Sequence, residues 1–122
     1  MYGLIAKLRT RPNRRNAVLA ILAKATVTMP GCLAYVVARD PSDPDIIWIT
    51  EAWQDKRSHD ESLAIPAIEA ATAKARPLLM GFETTIPIEP VGAMDLRQRG
   101  AHWEGTNEKA GPKARPIDLP SK

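Results

Sequence analysis

Between Ile46 and Leu63, the stretch IIWITEAWQDKRSHDESL gathers Trp48, Glu51, Trp53 and His59. Imidazole gains and loses a proton near neutral pH, which makes His59 the candidate acid/base. Indole offers a broad flat face and one N–H donor, so Trp53 and Trp48 are candidate walls against an aromatic substrate. Glu51 stands in a mostly apolar segment, where desolvation favours a neutral carboxyl, and it is a candidate substrate-binding acid. Tyr35, in the apolar run just upstream, supplies a phenol able to hydrogen-bond a substrate oxygen. A base, a polar anchor and flat apolar walls together suit proton transfer within an apolar pocket. Every one of these residues also has a structural alternative: core packing for the tryptophans and Tyr35, helix capping or solvation for His59, and an ion pair with Arg39 for Glu51.

Other chemistries find less support. His59, Asp60 and Glu61 are contiguous and do not converge on one ion, and the second histidine, His102, is far along the chain, so no metal is expected. No glycine-rich phosphate loop precedes a helix, and no cofactor is expected. Cys32 is the one cysteine, which excludes an intrachain disulfide and points to a reducing compartment.

The elements that must position these residues follow from periodicity. Tyr2, Leu4, Ala6 and Leu8 alternate with Gly3, Ile5, Lys7 and Arg9, as in a strand. Val18, Leu19, Ile21, Leu22 and Ala25 recur at helical spacing and predict an amphipathic helix from Arg14 to about Val27, with Asn13 as a candidate cap. Met29-Pro30-Gly31 ends it, and CLAYVVAR (Cys32–Arg39) has strand composition. The Asp40-Pro41-Ser42-Asp43-Pro44-Asp45 turn then leads into a strand, Ile46–Trp53. On that strand Ile47, Ile49, Glu51 and Trp53 share one face, and Ile46, Trp48, Thr50 and Ala52 share the other. Asp55 is a candidate cap for a helix from Lys56 to Leu63, and Pro66 opens a second that is expected to reach Met80 and stop at Gly81. FETTIPIE (Phe82–Glu89) alternates as a last strand, its Pro87 pointing to an edge or an interrupted ladder.

The order βαββαβ is that of a ferredoxin-like α+β unit: a four-stranded antiparallel sheet with its helices on one face. Apolar residues on both faces of the sheet then require a second cover, and a homodimer is the expected solution. At 122 residues the chain is one domain, assigned to residues 1–91, followed by an irregular Pro/Gly-rich tail over 92–122 in which Trp103 suggests a docking arm. The net charge is +3, but residues 1–90 carry 11 Lys/Arg against 10 Asp/Glu, so the domain is nearly neutral and nucleic acid is not an expected partner. No apolar run is long enough to cross a bilayer and no signal-peptide pattern opens the sequence; no membrane association and a cytoplasmic location are expected.

Pro30-Gly31-Cys32, the strand with Tyr35, the Asp40–Pro44 turn, Glu51-x-Trp53 and Lys56-x-x-His59-Asp60-x-x-Leu63 together resemble the antibiotic biosynthesis monooxygenase domain, in particular its quinol-monooxygenase-like branch. The likeness runs from about Tyr2 to Gly92. It implies a dimeric α+β barrel in which two sheets face each other, each with a pocket between sheet and helices. It also implies oxidation of anthrone or hydroquinone-type aromatics by molecular oxygen without flavin or metal, although other members degrade haem or isomerise small metabolites. The haem-degrading relatives carry an asparagine on the first strand and a histidine well inside the later helix. Here the first strand has no Asn and Ile68–Arg76 has no His, which disfavours haem.

The expectation is therefore a homodimeric, cofactor-independent monooxygenase acting on a small hydroquinone, phenol or anthrone. His59 and Tyr35 form its catalytic pair, and Trp53, Trp48 and Glu51 contact the substrate. A non-catalytic module that binds a small aromatic, or a metabolite isomerase on the same fold, are the alternatives.

Overall fold

The computed structural model describes residues 1–25 and 28–92. Strands β1 (Tyr2–Thr10), β2 (Cys32–Arg39), β3 (Ile46–Trp53) and β4 (Leu79–Ile88) form one antiparallel sheet in the order β2-β3-β1-β4. Helices α1 (Arg15–Lys24), α2 (Lys56–Ser62) and α3 (Pro66–Ala75), with a 3-10 turn at Arg76–Leu78, complete the βαββαβ order of a ferredoxin-like α+β fold. The expected end of the first helix at Val27 and the expected docking arm with His102 and Trp103 lie outside the described residues.

Register decides which side chains meet. In the β1–β3 ladder Tyr2 pairs with Trp53, Leu4 with Glu51, Ala6 with Ile49 and Leu8 with Ile47, so all eight share the helix-bearing face. The core forms there from Ala6, Leu8, Val18, Ile47 and Ile49, with Leu19 and Leu22 of α1 and Val37, Leu78 and Leu79 packed against it. Val18 and Ile47 are fully buried, and each such aliphatic side chain contributes about 1.5–3 kcal/mol. From α3, Ala71 and Ala75 are buried, small side chains that let this helix lie close to its neighbours.

The turn between β2 and β3 is built as its sequence suggests. Asp40 accepts the backbone N–H groups of Ser42 and Asp43 at 2.8 and 3.0 Å, and Asp43 accepts that of Asp45 at 3.0 Å. The Arg15 guanidinium clamps α1 to this turn by donating to the carbonyls of Asp40, Asp43 and Ile46 at 3.1, 2.9 and 3.2 Å.

Two boundaries differ from the sequence reading. Asn13 does not cap α1; it adopts a left-handed backbone (φ 65°) and donates its N–H to Asp45 at 3.3 Å, while Arg14 occupies the cap position without a side-chain bond. The α3 helix stops at Ala75, not Met80, because Pro77 has no N–H to continue it; Leu79 already pairs with Thr10 of β1. Gly81 is thus inside β4 at φ 138°, beside one of two register shifts in the β1–β4 ladder. Pro87 sits on an edge strand, where a missing donor costs the sheet least.

The opposite face is half polar and half apolar. Arg9 bridges Glu83 and Asp43, Lys7 lies 3.5 Å from Glu83, and Trp48 pairs across from Lys7. Ile5 is flanked by Thr50 and Ile86, and Thr50 by Val36; Val36 and Ile86 are 49% and 47% exposed. The described elements leave this apolar half uncovered.

Candidate functional site

The site residues are held where β3 passes beneath α2. That short helix is fixed at both ends: Asp55 accepts the Ser58 N–H at 2.8 Å as an N-cap, and the Ser62 hydroxyl donates to the His59 carbonyl at 2.6 Å. Gly31, in a left-handed conformation (φ 83°), touches the first turn of α2 so closely that an added Cβ would overlap the Ser58 side chain. Its carbonyl accepts the Gln54 N–H at 2.8 Å, tying the chain before β2 to the end of β3. Gly3 has a comparable role in the sheet, since a Cβ there would come within 2.8 Å of the Glu51 carbonyl.

His59 consequently packs against two aromatic rings that neighbour each other across the β1–β3 ladder. Its centroid is 5.5 Å from that of Tyr2 and 5.6 Å from that of Trp53, the latter edge-on at 80°. The Trp53 indole donates to Glu51 Oε1 at 2.9 Å, and the same oxygen lies 3.9 Å from His59 Nε2. The other imidazole nitrogen, Nδ1, is 3.0 Å from Asp60 Oδ1. The His59 and Glu51 side chains are each only 14% exposed, and Trp53 is 1% exposed. Trp53 therefore backs the cluster, holding Glu51 with its N–H and packing nearly perpendicular to the His59 ring.

Tyr35 pairs across the ladder with Glu51. Tyr35 is 39% exposed, and partial desolvation, with the Glu51 carboxylate and Cys32 as lesser causes, raises its phenol above the ordinary tyrosine range. Such a phenol stays protonated at physiological pH and is available as a hydrogen-bond donor. The Asp60 carboxyl is held below the usual range, first by its hydrogen bond from Lys56 and then by that with His59, and is ionised at neutral pH.

Of the five residues singled out in the sequence, His59, Glu51, Trp53 and Tyr35 belong to this one neighbourhood. Trp48 stands on the opposite sheet face, where its indole donates to Asp40 Oδ2 at 2.8 Å and the Lys7 ammonium sits 5.5 Å from its ring. The Glu51 carboxylate meets Trp53 and His59; Arg39 lies further along β2, opposite Ile47. Tyr2 and Asp60 join the site without being candidates by residue type. Asp60 was visible as the neighbour of His59, whereas Tyr2 depends on long-range pairing with Trp53.

Among the described residues, no group of three or more His, Cys, Asp or Glu side chains is arranged to hold a metal ion, and no helix is long and apolar enough to cross a membrane. A depression of about 250 Å³ at the β4 bulge is lined by Arg9, Met80, Gly81, Phe82 and Glu83 and includes none of the His59 cluster.

The antibiotic biosynthesis monooxygenase family profile matches residues 1–74, and the chain belongs to that family. A solved structure from Chloroflexus aurantiacus that bears the family name is 48% identical, with a TM-score of 0.73, covering 76% of this chain and 95% of its own. A family-named structure from Deinococcus radiodurans is 25% identical over 79% of this chain and 98% of its own, with a TM-score of 0.61. Rv0793 from Mycobacterium tuberculosis, at 21% identity, shares the fold over 75% of this chain and 96% of its own, with a TM-score of 0.65. Among curated proteins none matches.

Proposed function

We propose that this chain is a cofactor-independent monooxygenase that oxidises a small electron-rich aromatic, a hydroquinone, phenol or anthrone, with molecular oxygen. The observation that carries the reading is the placement of His59. A largely buried imidazole, braced by Tyr2 and Trp53, has its Nε2 near Glu51, while Tyr35 adds a neutral donor on the adjoining strand.

The chemistry needs little more from the protein. Proton transfer from the ring's hydroxyl or activated carbon to His59 gives an electron-rich anion, which supplies the electrons that reduce oxygen. For an anthrone the overall balance is one O₂ consumed, a CH₂ converted to C=O, and water released with the second oxygen atom. Tyr35 donates to the substrate oxygen that carries the developing charge. Glu51 lies close enough to stabilise the imidazolium formed when His59 captures the proton. Trp53 keeps Glu51 and His59 in place.

A second copy of the chain completes the proposal. Val36 and Ile86 are exposed beside Ile5 and Thr50 in the middle of a sheet face that the described helices do not cover. Pairing of two such faces removes them from water.

The test is oxygen uptake by purified, metal-free protein given a panel of hydroquinones and anthrones. Substrate-dependent uptake that falls at least about a hundredfold in His59→Ala supports the enzyme, since loss of a general base costs roughly that much or more. Binding without turnover identifies a non-catalytic module instead, and turnover without oxygen identifies an isomerase.

A further inference from the structure

Proton removal by an imidazole requires a free lone pair on the nitrogen that faces the substrate, so the ring's tautomer matters as much as its position. At rest, a neutral His59 carries its proton on either Nδ1 or Nε2. The Nδ1 nitrogen is 3.0 Å from Asp60 Oδ1, a hydrogen-bonding distance. An ionised carboxylate only accepts, so this contact requires the proton on Nδ1. The Nε2 nitrogen has no comparable bond: Glu51 Oε1 is 3.9 Å away and already accepts the Trp53 indole N–H at 2.9 Å.

We infer that Asp60 is a positioning residue, fixing His59 as the Nδ1–H tautomer so that Nε2, near Glu51 on a ring packed against Tyr2 and Trp53, is the atom whose lone pair takes the proton. The catalytic consequence rests on the oxygenase reading, whereas the tautomer does not.

The other groups around the ring are consistent with this division. Lys56 donates to Asp60 Oδ2 at 2.9 Å, which leaves Oδ1 for His59 and keeps the carboxylate charged. Glu51 lies on the far side, too distant to hold the resting proton yet near enough to pair with Nε2–H⁺ once a proton has been captured. Arg57 is occupied with Glu61 at 3.1 Å, on the solvent side of α2. Tyr35, protonated, faces Glu51 from β2. His59 is thus bracketed by two carboxylates that serve different states of the ring: Asp60 the neutral form, Glu51 the imidazolium.

The experiment reads the tautomer directly, without substrate. Nitrogen-15 NMR of uniformly labelled full-length protein, at a pH where imidazole is neutral, distinguishes protonated from unprotonated ring nitrogens; the His59 signals are assigned by their loss in His59→Gln. The expected result is Nδ1–H in the wild type and a shift toward Nε2–H, the form that an unpartnered histidine side chain favours, in Asp60→Ala. Lys56→Ala removes the other partner of Asp60 and is expected to retain Nδ1–H. Circular dichroism establishes that each variant is folded. If oxygen uptake is observed, Asp60→Ala lowers kcat by about tenfold at unchanged KM, less than the roughly hundredfold or greater cost of losing the base itself. Nε2–H in the wild type, or an unchanged tautomer in Asp60→Ala, overturns the inference. Absence of uptake with Nδ1–H present overturns the oxygenase reading and leaves the assignment of Asp60 intact.

Discussion

Gly31→Ala is the sharpest test of how the site is held, because its expected cost comes from two separable sources. The residue has φ 83°, and a non-glycine residue in the left-handed region costs about 1–2 kcal/mol. The new methyl group also meets the Ser58 side chain, and forcing an extra carbon into an occupied space costs typically about 1–3 kcal/mol. The combined destabilisation is about 2–5 kcal/mol; at about 4–8 °C per kcal/mol for a domain of this size, the melting temperature falls by at least about 8 °C. Gly81→Ala supplies the comparison, since its φ is 138° but its added Cβ has no neighbour within 4 Å, leaving backbone strain without the overlap. The double variant Gly31→Ala/Ser58→Gly removes the overlap while retaining the strain, and is expected to recover stability despite the roughly 1 kcal/mol that glycine costs within a helix. Thermal denaturation followed by circular dichroism measures all four proteins. A fall below about 4 °C for Gly31→Ala, or no recovery in the double variant, refutes the claim that close contact at Gly31 sets the position of α2 and His59.

Two further outcomes follow from the same structure. Val36→Asp places a charge in the uncovered apolar half of the sheet, and sedimentation is expected to change from dimer in the wild type to monomer in the variant; a monomeric wild type refutes the paired-sheet proposal. On the acid side, hydrogen bonds hold Asp40, Asp43, Asp55, Asp60 and Glu83 below their ordinary range, with Trp48, the Asp45 N–H, the Ser58 N–H, Lys56 and Arg9 as the respective leading partners. Folded-state values below the unfolded ones give stability that is present above about pH 4 and is lost as pH falls through the folded values, so the melting temperature declines below about pH 4, and less steeply in Asp55→Ala.

What the sequence made legible is local in origin. The bounds of β2 and β3 coincide with the sequence reading because β-branched runs and a turn rich in Asp and Pro are short-range signals. The split of β3 into an Ile47–Ile49–Glu51–Trp53 face and a Trp48–Thr50 face follows from the two-residue period alone. Asp55 caps α2 and Pro66 opens α3 for reasons contained within a single turn of helix. The misplaced helix end has a physical cause as well: Leu78 and Leu79 continue the apolar stripe of α3, but Pro77 removes a donor and the chain gains more by pairing Leu79 with Thr10. The register shift at Met80 falls within the competing helical pattern, and the one at Glu83 leaves no mark on the alternation of Phe82–Glu89.

The candidate site was half legible for a related reason. His59, Glu51, Trp53 and Tyr35 are recognisable by residue type, and three of them fall within one short stretch. Two relations turn them into a site, and both are set by geometry between elements. One is the β1–β3 register, which puts Tyr2 opposite Trp53 and so delivers a second ring to His59. A slip of one residue would carry Tyr2 to the other face and leave the imidazole with Trp53 as its one aromatic neighbour of the two. The other is the docking of α2 against Gly31, which brings His59 Nε2 to 3.9 Å from Glu51 while Nδ1 keeps its neighbour Asp60. Trp48 illustrates the converse. It has the same residue type and lies only five positions from Trp53, but the odd spacing sends it through the sheet to Asp40 and Lys7. Residue type nominates a participant, but the parity of its position along β3 decides which face it serves.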